Sequence, residues 1–192
     1  MSGGSGVRDA LWEKLIGIGI DKASFYTRIS NTAIQRMSVL LEKPVPDVVV
    51  LMLTYKDETV KDAMDVFEEI KDIPTNYFGF KDIGLPVEAM NILKDNMKNA
   101  GKKTFLKVVR YSEKEVLESA ELAVNVGFDY LMGTVYGDSI WDVIDKKIKY
   151  MPFCGKVYDH PSVLGGSVDE IVEDVKRIER KGIPIRTRLP CF

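Results

Sequence analysis

Two lysines stand where carbonyl chemistry would need an amine. Lys81 closes the segment 76–83 (NYFGFKDI), and Lys107 lies inside 103–111 (KTFLKVVRY). Both segments read as buried strands. Alternation puts Tyr77, Gly79 and Lys81 on one face of the first, and Phe78 and Phe80 on the other. Large apolar residues of such strands face the covering helices, so Lys81 is expected on the interior side. By the same count Leu106 and Val108 face the helices, while Phe105, Lys107 and Val109 face the interior. Two inward ammonium groups on neighbouring strands repel each other, and desolvation adds to the effect. Together they lower a lysine pKa, which is how a Schiff-base or general-base lysine is made. The plainer alternative is that both lysines are paired with carboxylates and only fill the interior or position a substrate.

The other candidates also cluster at strand ends. Asp82 follows Lys81 and suits a general base, a metal ligand or an anchor for a lysine; the plainer role is a loop aspartate shaping the next turn. Thr134 and Tyr136 alternate on 129–136 (DYLMGTVY), so both are expected to face inward and offer hydroxyls to a phosphate or a sugar, unless they merely pack. In KVYDHPSVLGGS (156–167), Asp159 precedes His160, the single histidine of the chain. A neighbouring carboxylate can orient an imidazole for proton transfer, although His-Pro also simply shapes a turn. Gly165, Gly166 and Ser167 precede a helix start, where free amides favour an anion, although the same triplet is an ordinary cap. No second carboxylate stands at a telling spacing from Asp82, so no metal is expected, and no motif calls for another cofactor.

These residues need a scaffold that gathers strand ends, and the pattern supplies one. Apolar runs alternate with helical stretches: strand 47–55, a helix with Val60, Met64, Phe67 and Ile70 on one stripe, strand 76–83, a helix from Pro86 to Gly101, and strand 103–111. A helix from the Ser112/Glu115 capping pair to Gly127 follows, then strand 129–136, a helix after Asp138, a strand from about 150 interrupted by Pro152, and a helix from Ser167/Glu170 to Gly182. Strand starts at 47, 76, 103 and 129 give a near-constant β-plus-α period, which predicts a parallel (β/α) barrel, TIM-barrel-like, of five to six units. The runner-up, an open doubly wound sheet, usually needs a glycine-rich turn after its first strand, and TYKDET is not one. Ahead of the units, residues 1–6 read as a flexible lead and 7–46 as one or two helices with a cap at Ser30 or Asn31.

Composition narrows the partners. The 192 residues are 45% apolar and 29% charged, with a formal net charge of −2 and no basic stripe, so nucleic acid is not expected. No apolar run reaches a membrane span, no signal peptide is visible, and Cys154 and Cys191 form no motif, so a reducing cytoplasm is expected.

The segments FGFKDIGLP, AGKKTFLKVVRYSEKE, GFDYLMGTVYGDS and IKYMPFCGKVYDHPSVLGGSVDEIVEDVKRIERKG resemble a little-characterised group of bacterial (β/α)8 proteins that look like ribulose-phosphate-binding barrels. The resemblance covers roughly 45–182. It implies a strand six of the GIDLLAYR kind and a phosphate site built from strands seven and eight. This sequence departs at 183: IPIRTRLPCF is a poor buried strand, so 183–192 reads as an atypical tail and the barrel as truncated after its fifth unit. An uncovered parallel edge is an aggregation hazard, so closure by another chain, a homo-oligomer, is expected if this end is real. The expected function is an enzyme, isomerase or lyase/aldolase, that abstracts a proton beside the carbonyl of a small phosphorylated or sugar-like compound. The alternative is an inactive truncated barrel, stable through oligomerisation or binding ligand only.

Overall fold

The computed structural model describes residues 23–26, 49–108, 110–145, 147–159 and 163–183. The flexible lead, most of the 7–46 segment with the Ser30/Asn31 cap, His160, and the tail from 184 onward lie outside the described residues. The chain divides into two compact units, residues 1–104 and 105–192.

In the N-terminal unit, β1 (Ala23–Tyr26), β2 (Val49–Met52) and β5 (Tyr77–Lys81) are parallel neighbours in that order. Val50, Leu51 and Met52 are all buried, as a strand covered on both faces requires. The helix α1 (Ala63–Ile70) sets Phe67 edge-on against Phe78 of β5, with ring centroids 5.3 Å apart. Such a pair adds about 0.5–1.5 kcal/mol to the burial of its rings. Phe78 therefore does face a helix, as alternation predicts. The helix α2 (Val87–Asn99) begins after Pro86 and buries Met90, Leu93 and Met97 along one stripe.

Two features differ from the sequence pattern. Within the 7–46 segment, whose expected helices lie outside the described residues, stands β1, a strand of four residues that pairs in register with β2. Its ASFY carries no long apolar run, so the pairing partner and not the local pattern decides its state. The segment 47–55 is not one strand. After β2 the chain turns into a two-residue hairpin, β3 (Thr54–Tyr55) against β4 (Glu58–Thr59). With β1 included, the period of about 27 residues runs back one unit further than the sequence pattern indicated.

In the C-terminal unit the order is β6 (Lys103–Lys107, which begins in the preceding unit), β7 (Tyr130–Val135) and β8 (Lys149–Phe153), again parallel. Between them lie α3 (Glu113–Val126), capped by the Ser112 hydroxyl accepting from the Glu115 amide, and the short α4 (Asp138–Ile144). After β8 comes an antiparallel hairpin, β9 (Lys156–Tyr158) with β10 (Val163–Gly165), and then α5 (Val168–Arg180) behind the Ser167/Glu170 capping box.

Pro152 does not end β8; β7 adapts to it. The register slips between Met132, opposite Met151, and Val135, opposite Phe153, so Gly133 and Thr134 together oppose Pro152, which has no N–H to give. Gly133 takes φ +83°, and a Cβ there would stand 2.6 Å from the Val108 carbonyl oxygen. The bulge breaks the alternation that put Thr134 and Tyr136 on one face. We expect Gly133→Ala to destabilise the protein by about 2 kcal/mol or more, a Tm fall of roughly 4–8 °C in thermal unfolding. An unchanged Tm would contradict the bulge geometry.

Candidate functional site

In the N-terminal unit the site is built on the carboxyl end of β5. Thr59, at the end of the β3–β4 hairpin, accepts a hydrogen bond from the Lys81 N–H and donates one to the Lys81 carbonyl, both at 2.9 Å and both buried. The Thr59 N–H donates to the Ile83 carbonyl at 3.0 Å. Gly84, at φ +100°, lets the chain pass so close that a Cβ would stand 2.3 Å from the Thr59 main-chain carbonyl oxygen. The hairpin is thereby fixed over the end of β5.

Its tip carries the charge. Lys56 and Asp57 take φ +46° and +69°, the paired left-handed conformation of a tight hairpin turn, where glycine or asparagine is usual. For side chains of this size the conformation costs about 1 kcal/mol or more each. The turn brings the Asp57 carboxylate 2.5 Å from Lys81 Nζ. The lysine side chain is 1% exposed and the aspartate side chain 43%. A buried cationic side chain calls for such a partner, since burying an unpaired charge is costly. Asp82 sits half-buried directly after the strand.

The C-terminal unit holds a cavity of about 270 Å³ where β7 and β8 end. It is lined by Tyr136, Lys156, Gly165, Gly166, Glu170 and Arg177 among others. The Tyr136 hydroxyl donates to Asp138 at 2.5 Å, and the Arg177 guanidinium lies over its ring at 5.2 Å. Partial burial first, and the bond to Asp138 second, push the Tyr136 pKa up to about 12. The phenol therefore stays neutral and able to share its proton. Asp174 accepts from the Gly155 amide at 2.8 Å and from Arg177 at 2.6 Å, while Lys156 stands 4.0 Å from Glu170.

The expected residues divide between these places. Lys81 is buried and carboxylate-paired. Lys107 is also buried, on β6 in the other unit, against the glycine of the bulge: a Cβ on Gly133 would stand 3.3 Å from its Cγ. Tyr136, Gly165 and Gly166 line the cavity. Thr134 is fully buried, its hydroxyl 2.6 Å from that of Tyr150, whose own pKa is pushed up by burial.

The amides expected to be free before α5 are not all free. The Ser167 N–H donates to Glu170 Oε2 at 2.7 Å, and Ser167 Oγ accepts from the Glu170 amide. These bonds hold the Glu170 carboxyl below its usual range, so a negative charge already occupies the place of an incoming anion. His160 itself is outside the described residues. Asp159 beside it is exposed at φ +62°, and its carbonyl accepts from the Tyr111 hydroxyl at 2.7 Å. Among the described residues no group of three or more His, Cys, Asp or Glu could hold a metal ion. Among the same residues no helix is long and apolar enough to cross a membrane.

Sequence reasoning passed over Asp57, Thr59, Asp174 and Arg177. Asp57 sat in TYKDET without the glycine that signals a tight hairpin. Asp174 and Arg177 are an i, i+3 pair on a helix, and that spacing alone does not mark a cavity wall.

No family model and no curated protein matches the chain. Among solved structures it is similar to a xylose isomerase domain protein from Planctomyces limnophilus, with a TM-score of 0.56 at 13% identity over 100% of this chain and 87% of that one. The fold is α/β, of the (β/α)-barrel kind. The chain is also similar to two structures of 2-keto-3-deoxygluconate aldolase from Sulfolobus solfataricus. One is a doubly substituted variant (TM-score 0.49, 12% identity), the other a complex with D-KDPG (TM-score 0.45, 13% identity); each match covers 77% of this chain. The chain spans about half, 54%, of the length of those aldolases. At these identities the likeness is one of fold.

Two outcomes follow from the local geometry. Thr59→Val removes the partner of two buried main-chain groups and is expected to cost about 2–4 kcal/mol, read as a lower denaturant midpoint at unchanged slope. Tyr136 keeps its proton in the folded chain up to about 12, against a usual 10.0. Between those values the unfolded chain binds fewer protons, so its contribution to stability is complete below 10.0 and is lost as pH rises towards about 12. Absorbance titration of the phenolate should show Tyr136 titrating late, and earlier in Asp138→Asn.

Proposed function

We propose that the protein is an enzyme acting on a small sugar-like carbonyl compound, by isomerisation or reversible C–C cleavage through proton abstraction beside the carbonyl. The observation that carries this reading is the buried Lys81 amine at a strand end, 2.5 Å from a half-exposed carboxylate. An amine in that setting can serve as Schiff-base former or base. Lys107 is the second amine candidate, and Asp82 and His160 are the candidates to shuttle protons. The fold neighbour carries a sugar-isomerase name, which agrees with the reading at the level of fold alone.

In the C-terminal unit, Tyr136, Gly165, Gly166 and the charged pairs of the cavity would take polar groups of a ligand, with Thr134 and Ser167 supporting the walls. Both cations there have carboxylate neighbours. That favours hydroxyl groups over a phosphate at this place, so the phosphorylated substrates of ribulose-phosphate-binding barrels are the less favoured half of the substrate class. A barrel without turnover that binds ligand or self-associates is the second reading; Val168 and Val172 on α5, 75% and 42% exposed, favour it. Light scattering on the purified chain separates the two: a monomer opposes self-association.

Incubation with small aldehydes and ketones, such as glyceraldehyde and pyruvate, followed by borohydride reduction and peptide mass mapping, tests the amine. We expect an adduct on Lys81 that disappears in Lys81→Met. The absence of any adduct on Lys81 would sink the Schiff-base route.

A further inference from the structure

We infer that Asp57 is the proton partner of Lys81: it holds the lysine as an ammonium at rest, takes that proton when a carbonyl arrives, and returns it to the leaving oxygen. This deepens the Schiff-base reading above and rests on it for the second half of the cycle only. Three independent features point to Asp57. Its carboxylate reaches Lys81 Nζ at 2.5 Å. It is the more exposed member of the pair, 43% against 1% for the lysine side chain. The tip that carries it is held in a left-handed conformation by two non-glycine residues, Lys56 and Asp57, and clamped at its base by Thr59. Strain of this kind persists where the surrounding structure over-determines it, and it clusters at sites that work.

The step balances. Lys81 ammonium passes one proton to the Asp57 carboxylate, leaving a neutral amine and a carboxylic acid. The amine nitrogen attacks the carbonyl carbon, a C–N bond forms, and the nitrogen's extra proton moves to the oxygen to give a neutral carbinolamine. The Asp57 acid then protonates the hydroxyl, the C–O bond breaks, and water leaves. An iminium on Lys81 and a carboxylate on Asp57 remain, with the net charge they had at the start. Asp57 is near enough for both transfers without a change of partner.

Asp57→Asn keeps the shape of the side chain and removes its charge, and two reactions read the result at neutral pH. Acylation of Lys81 by limiting acetic anhydride needs only a neutral amine. Reductive trapping with glyceraldehyde and borohydride needs a neutral amine and then an acid to expel water. Exposed Lys61 in the same sample serves as the internal reference. Without its counter-charge the buried amine loses its proton more readily, so acylation at Lys81 is expected to rise roughly tenfold or more. Adduct formation at Lys81 is expected to fall by a similar factor, and Asp57→Glu should recover part of it.

Acylation unchanged in Asp57→Asn relative to Lys61 overturns the assignment. So do acylation and trapping moving together, which is the pattern of a loosened hairpin. If the unaltered protein forms no adduct while acylation still rises in Asp57→Asn, the Schiff-base reading falls, the return of the proton falls with it, and the control of the Lys81 proton by Asp57 stands.

Discussion

A single hydroxyl holds the candidate amine in place. Thr59 satisfies both main-chain polar groups of Lys81 at once, so the hairpin between β3 and β4 is bound to the end of β5 as firmly as another strand would be. Without that clamp the Lys81 N–H and C=O would be buried and unpaired, a cost of the order of 1–3 kcal/mol each. The clamp also makes the ion pair possible. It fixes the base of a turn only two residues long, so its tip has little freedom, and Asp57 is carried to the lysine. The order of dependence runs from Thr59 to the hairpin, and from the hairpin to the Asp57 carboxylate beside Lys81.

The C-terminal unit solves a different local problem. A proline inside a parallel strand removes a donor from the ladder, and β7 answers with two residues against one. The glycine of that bulge fits where no side chain would. The consequence reaches the cavity, because the bulge changes which side chains leave β7 on which side. Thr134 is consumed in a buried bond to Tyr150, and Tyr136 is left at the cavity with a neutral phenol. The charged pairs on α5 and the β9–β10 hairpin then complete a lining of donors and acceptors with little net charge.

Much of the scaffold was legible because it depends on local rules. The apolar runs, the Ser112 and Ser167 caps, and the β-plus-α period all rest on interactions within a few residues, and the elements after 76, the β9–β10 hairpin excepted, appear close to where these signals put them. The strand β1 was not legible, since four residues without a long apolar run acquire their state from β2 alongside. Alternation put Lys81 on a buried face, and its side chain is buried. Its partner could not be read this way: Lys81 and Asp57 are separated by 24 residues, and nothing in TYKDET marks the left-handed turn that joins them. Free amides at Gly165–Ser167 were expected from the motif, but the Ser167 amide is taken by Glu170 of the same capping box.

The sequence by itself determined the alternating parallel architecture, the caps, and the burial of Lys81 and Lys107, though not that of Lys94, because periodicity and capping act through near neighbours. Tertiary structure alone decided which carboxylate meets Lys81, which hydroxyl is spent on packing, and which charged groups line the cavity. Those outcomes depend on a hairpin folding over a strand end and on one strand bulging around a proline in the next, and such contacts between distant segments leave no period in the chain.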